Sequence, residues 1–106
     1  MQPIPILDAA QLGRKTMGDP ALQVEVLALF ATEAERLMRQ VESAEDGQIR
    51  GDRLRAMIAL ARNTGTVRLA QVARALETQI VTEELDLQPL RAALAETLDY
   101  IGRASI

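Results

Sequence analysis

Residues 19–44, which read DPALQVEVLALFATEAERLMRQVESA, decide the fold class of this chain. Their apolar side chains recur at spacings of three and four residues, the period that places them on one face of an α-helix. The stripe is formed by Leu22, Val26, Phe30, Ala34, Leu37, Val41 and Ala44. Asp19 is suited to cap the first amides of this helix, and Pro20 is suited to its first turn. The stretch therefore predicts one long amphipathic helix.

Outside this stretch, the same helical periodicity recurs in four further segments. Asp8 followed three residues later by Gln11 resembles a capping box, and Gly65 can adopt the left-handed conformation that ends a helix. Pro89 fits the first turn of a last helix that Asp86 caps. We predict a short first helix over roughly residues 8–17 and a third helix that starts within 45–52 and ends at 63–65. A fourth helix is predicted over 67–80, and a fifth from Asp86 onward.

Length and composition indicate how these helices are assembled. The 106 residues fit one domain, residues 1–106, and 48% apolar with 25% charged side chains is ordinary globular usage. Aromatic residues are only 2% of the chain, so the core must consist of aliphatic side chains, with Met17, Met38 and Met57 filling gaps. Short connections imply antiparallel neighbours. The sequence therefore predicts an all-α fold, an up-down antiparallel four-helix bundle preceded by a short N-terminal helix.

Two residue types that carry much of enzyme chemistry are missing from the chain. Without Cys there is no disulfide or thiolate, and without His the chain lacks the side chain most used for proton transfer near neutral pH. We therefore predict that the protein is not an enzyme and uses no cofactor or metal ion. No apolar run exceeds six residues, far below the ~20 of a membrane span, and the N terminus lacks a signal-peptide pattern. The expectation is a cytoplasmic protein that does not bind membranes.

Charge is segregated along the chain, although the net charge is only −3. Residues 19–46 carry −5 (seven acids, two Arg), residues 50–74 carry +5 (six Arg, one Asp), and residues 77–99 carry −5 (six acids, one Arg). One interpretation is intramolecular pairing between neighbouring helices. The other is a docking surface for an acidic partner, whose encounter complementary charge would steer. Nucleic acid is not expected as a partner, because the chain is acidic and has almost no aromatic side chains to stack on bases.

The stretch RAMIALARNTGTVRLAQVARALE, residues 55–77, resembles the histidine-phosphotransfer (HPt) domains of bacterial phosphorelays. Such domains have a motif H-x-L-K-G-[SA], a glycine ten residues after the His, and then a pattern close to x-x-R-L-A-x-x-A-x-x-L-E. Gly65 and residues 68–77 are similar to the second part, and Gly18-Asp19-Pro20-Ala21-Leu22 is similar to the family's GDP-x-L start of the second helix. The similarity extends from about Asp8 to about Ile101, and it implies the same order of helices.

In the first part of the motif, the sequence departs from the family. Counting ten residues back from Gly65 places the phosphoacceptor position at Arg55. The family's Lys falls on Ile58 and its Gly on Ala59, so the small size is nearly kept while the charge is lost. Arginine stays protonated and has no lone pair for attack on phosphorus. The resemblance therefore implies a non-catalytic module that binds a receiver domain of a response regulator, or a histidine kinase, without carrying a phosphoryl group.

Helical spacing places Gly51, Arg55, Ala59 and Arg62 along one stripe of the third helix. Small residues would let a partner approach closely, and Arg55 would reach the acidic phosphorylation pocket of a receiver as a fixed cation. The full set of predicted partner-binding residues is Gly51, Arg55, Ile58, Ala59, Arg62, Gly65 and Arg68. The alternatives are an ordinary solvent face and, for the whole chain, a structural or oligomerisation bundle that has lost its signalling partners.

Overall fold

A computed structural model describes residues 4–79 and 85–104 of the chain. These residues form helices and connections, and no strand occurs among them. The helices are α1 (Ala9–Lys15), α2 (Pro20–Ser43), α3 (Gly47–Thr64), α4 (Val67–Glu77) and α5 (Gln88–Ala104). The all-α prediction is therefore confirmed. The predicted fourth helix is shorter than expected and ends at Glu77, and its expected last residue, Ile80, lies outside the described residues.

The long helix α2 begins where the sequence predicted. The side chain of Asp19 accepts hydrogen bonds from the amides of Ala21 (3.0 Å) and Leu22 (3.4 Å), so it satisfies donors that the first turn leaves unpaired. The inner face of α2 carries the central aromatic residue of the core, Phe30, which is 1% exposed. The other buried residues of α2 are Leu27, Ala34, Leu37, Met38 and Val41.

From α2 onward, each helix packs against the next one in the chain, and α5 also packs against α2. Helix α3 contacts α2 and α4, α4 contacts α5, and α5 also contacts α2. The core between them is aliphatic, with Leu54, Met57, Leu69 and Leu90 fully buried. This arrangement is compatible with a helical bundle. None of the helices in the described part of the chain is both long and apolar enough to cross a membrane.

One predicted core residue is not in the core. Met38 and Met57 are buried as expected, but Met17 is 90% exposed. Its backbone has a φ of 52°, in the left-handed region, and it is followed by Gly18 with a φ of 73°. The prediction was wrong because Met17 lies in the tight turn after α1, where the chain reverses before α2, and helical periodicity does not apply there.

The end of α3 is held by α1. Gly65 has a φ of 86°, and the amides of Gly65 and Thr66 both donate to the Ala61 carbonyl, at 3.0 and 2.9 Å. The Gly65 carbonyl in turn accepts a 2.7 Å hydrogen bond from the amide of Asp8. A Cβ atom at residue 65 would meet the Asp8 carbonyl oxygen at 3.2 Å. Only glycine fits this junction without a shift of the backbone.

We predict that Gly65→Ala lowers the free energy of unfolding by about 1–2 kcal/mol, since alanine pays the cost of the left-handed conformation and crowds Asp8. The matched control is Gly13→Ala in α1, where nothing lies within 4 Å of the added methyl group. That change should raise the free energy of unfolding by about 0.5–1 kcal/mol, because alanine is the better helix former. Urea unfolding followed by circular dichroism measures both, and equal effects would contradict the role given to Gly65.

Candidate functional site

The structure divides the seven predicted partner-binding residues into a buried group and an accessible group. Gly51, Ile58 and Gly65 are buried, whereas Arg55, Ala59 and Arg62 are exposed on α3. Gly51 lies three residues before the fully buried Leu54, on the apolar stripe of α3 that faces the core. It therefore does not belong to an exposed stripe with Arg55, and Ile58 has a packing position as well.

Arg68, the seventh predicted residue, is half-buried on α4 and joins three parts of the chain. Its guanidinium forms an ion pair with Glu96 of α5. It also donates two hydrogen bonds, of 2.7 and 2.9 Å, to the carbonyl of Ile4. Arg68 is thus engaged within the molecule and holds the segment that precedes α1 against α4.

Arg55, at the position where the HPt family has its phosphoacceptor, is exposed but paired. Its guanidinium forms an ion pair with Asp52 one turn earlier and lies 3.7 Å from the Glu77 carboxylate at the end of α4. The Arg55 side chain remains 55% exposed. It is accessible to a partner, but a partner's carboxylate would compete with two carboxylates of this chain.

The six arginines of the basic segment, residues 50–74, fall into two groups. Arg50 donates to the Val41 and Ala44 carbonyls (3.3 and 3.0 Å) at the end of α2, and Arg55 and Arg68 form ion pairs. The side chains of the other three have no hydrogen bond or ion pair with any residue that the structure describes. These three are Arg53, Arg62 and Arg74. Intramolecular pairing therefore accounts for half of the basic segment.

Two of the unpaired arginines line the same groove between α3 and α4. Arg62 comes from α3 and Arg74 from α4, and the groove has a volume of about 420 Å³. Ile4, Val67, Ala70 and Gln71 complete the lining. Arg62 is one of the predicted partner-binding residues, whereas Arg74 was predicted only as part of the basic segment, because only the packing of α3 on α4 brings the two side chains to one groove.

A second groove, of about 380 Å³, lies between α2 and α3 and is mainly apolar. Leu29, which is 66% exposed, and Leu60 are among its lining residues. Glu33 also lines it, and the hydrogen bonds from Arg36 hold the pKa of Glu33 below its ordinary value, so this carboxylate stays charged. The sequence did not predict this groove, although a leucine outside the core stripe of α2, Leu29, was a signal for it.

Chemically, these surfaces are suited to binding. The chain has no His or Cys, so neither groove presents a neutral nucleophile activated by an imidazole base. In residues 4–79 and 85–104, no three acidic side chains gather where they would hold a metal ion. What the arrangement does present is unpaired guanidinium groups on one side of α3 and accessible aliphatic side chains on the other.

Comparison with known proteins gives no match: no family model fits the chain, and no curated protein or solved structure matches it. The resemblance to HPt domains therefore depends on the residues quoted above, which are the GDP-x-L start of α2, Gly65 and residues 68–77.

We predict that Arg68→Gln loosens the segment before α1. The variant loses the Glu96 ion pair and both hydrogen bonds to the Ile4 carbonyl, which should lower the free energy of unfolding by about 0.5–1.5 kcal/mol. The steady-state heteronuclear NOE of the Ile4 amide, measured by NMR, should fall. Arg55→Gln is the control, since it removes an exposed pair at the other end of α4 and should leave that NOE unchanged. An unaltered Ile4 signal in Arg68→Gln would contradict this anchoring.

Proposed function

We propose that this protein is a non-catalytic, HPt-like module of two-component phosphorelay signalling that acts in the cytoplasm. It binds the receiver domain of a response regulator, or a histidine kinase, and carries no phosphoryl group. The observation that carries the proposal is Arg55, an accessible cation on α3 at the position where the resembled family has its phosphoacceptor His. The helix order and the glycine ten residues later support that register.

The same proposal includes the arrangement of the helices. An up-down antiparallel four-helix bundle with a short helix ahead of it is supported by the sequence of contacts from α2 to α5 and by the return of α5 to α2. Short connections, such as the two residues between Thr64 and Val67, favour antiparallel neighbours. In this arrangement α1 covers the end of α3 and leaves the middle of that helix accessible.

Three properties of the α3 surface suit it to dock a folded domain. Ala59 is exposed and small, so the backbone of a partner can approach α3 closely. Leu29 and Leu60 offer accessible apolar surface on one side, whose burial stabilises a complex. Arg62 offers an unpaired charge on the other side, which orients an acidic partner. Transfer itself is ruled out by chemistry, since the guanidinium of Arg55 has no lone pair to attack phosphorus.

A second candidate is a structural or oligomerisation bundle. Val24 and Leu29 are 53% and 66% exposed on α2, and a second copy of the chain would bury both. This candidate predicts self-association in the absence of any signalling protein. Sedimentation velocity of the purified protein over a range of concentrations measures it directly.

We predict that Ala59→Trp weakens binding of a receiver domain by about ten-fold or more, because the indole ring prevents close approach to α3. The matched control is Ala92→Trp, an equally bulky change at an exposed alanine of α5. Biolayer interferometry with each purified receiver domain encoded by the source organism gives the affinities, and thermal melts show that both variants are folded.

If no receiver domain or histidine kinase binds the native protein, the signalling proposal fails. Equal loss of binding in Ala59→Trp and Ala92→Trp would mean that a partner docks elsewhere than on α3. If instead only a concentration-dependent dimer is found, and Leu29→Glu abolishes it, the oligomerisation bundle is the better account.

A further inference from the structure

We infer that the groove between α3 and α4 is a binding site for an acidic, carboxylate-bearing segment of a partner protein, held by the guanidinium groups of Arg62 and Arg74. The site extends the proposed docking surface, with which it shares Arg62, by adding Arg74 and the groove lining, and it needs neither Arg55 nor Ala59. It would add a second contact that recognises charge in an extended part of the partner.

The two arginines of the groove differ from the paired arginines of the same helices. Neither guanidinium has a hydrogen bond or ion pair with any residue in the described part of the chain, although acidic side chains are abundant on the neighbouring helices. Arg55 on α3 and Arg68 on α4 show the alternative, because each is paired with a carboxylate of this chain. The two unpaired arginines instead line one groove of about 420 Å³. A groove of this size accommodates a few side chains of a ligand.

The lining of the groove combines hydrogen-bond donors with aliphatic side chains. Two guanidinium groups each present a planar set of donors that matches a carboxylate, and Gln71 adds an amide. Ile4, Val67 and Ala70 supply an aliphatic surface between these polar groups. The combination fits a peptide segment that alternates acidic and aliphatic side chains.

Nucleic acid fits the groove less well than an acidic peptide. Binding to single strands depends on aromatic side chains that stack on bases, and the groove lining contains none. Phe30 is 1% exposed in the core, and Tyr100 lies on α5.

Arg68 acts as a positioning residue for this groove. Its two hydrogen bonds to the Ile4 carbonyl keep Ile4 in the lining. The charge of Arg68 is itself neutralised by Glu96. The groove thus has separate residues for holding its wall and for binding the ligand.

The test is fluorescence anisotropy with a fluorescein-labelled peptide rich in glutamate with interspersed leucines. A second peptide has glutamine at each glutamate position, and a fluorescein-labelled oligouridine represents nucleic acid. We expect the acidic peptide to bind and the glutamine peptide to bind at least about ten-fold more weakly, since charge-assisted hydrogen bonds are the stronger ones. Arg62→Gln and Arg74→Gln should each weaken binding of the acidic peptide by about ten-fold.

The matched control is Arg53→Gln, which removes the same charge from an arginine that is also unpaired but lies outside this groove, beside Gln40 and Glu45. Its binding should stay within about two-fold of that of the native protein, because a distant surface charge is screened. In NMR titrations of the native protein, the amide signals of Val67, Ala70 and Gln71 should shift. Thermal melts check folding, since none of the three arginine side chains has a partner to lose among residues 4–79 and 85–104.

Three outcomes would overturn the inference. They are no binding of the acidic peptide, an equal loss in Arg53→Gln, and tighter binding of oligouridine with the same dependence on Arg62 and Arg74. An equal loss would show only general attraction to positive charge, and the oligouridine result would assign the groove to nucleic acid. No receiver domain enters this assay, so its failure is distinguishable from a failure of the proposed signalling function.

Discussion

The constraint on which this structure depends is the end of α3. The last turn of any helix leaves carbonyl groups without intrahelical donors, and these must find partners elsewhere. Here α1 and its N-cap residue supply them. The side-chain amide of Gln11 donates to the Arg62 carbonyl, and the Lys15 amine donates to the Asn63 carbonyl at 2.9 Å. The backbone amide of Asp8 donates to the Gly65 carbonyl. The left-handed Gly65 makes this possible because it turns the chain without a side chain in the way.

The packing of α3 on α2 and α4 decides which of its faces is accessible. Gly51, Leu54 and Ile58 face the core, and Arg55, Ala59 and Arg62 remain accessible. The accessible side of α3 then lies between two grooves of different character, an aliphatic one toward α2 and a guanidinium-lined one toward α4. In a surface of this kind, the apolar area contributes affinity for a partner and the charged groups orient it, as in many protein interfaces.

The arginines of residues 50–74 have different roles in the structure. Arg50 satisfies carbonyls at the end of α2, and Arg68 joins the start of the chain to α4 and α5. Such contacts are individually weak at a surface, but they define how neighbouring segments meet. The arginines that have no partner in the described part of the chain keep their donors for a ligand. This distinction separates residues that build the fold from residues that are available to a partner.

Features that depend on neighbours in the chain or on composition could be predicted from the sequence alone. The start of α2 at Asp19 and the end of α3 at Gly65 are set by local hydrogen bonds and backbone conformation, and the lack of His and Cys excludes their chemistry in any fold. Tertiary structure decided the rest. The exposure of Met17 follows from the turn after α1, which helical periodicity does not anticipate. The burial of Gly51 and the position of Arg62 and Arg74 on one groove depend on which helix faces pack together, because sequence spacing does not relate residues of different helices.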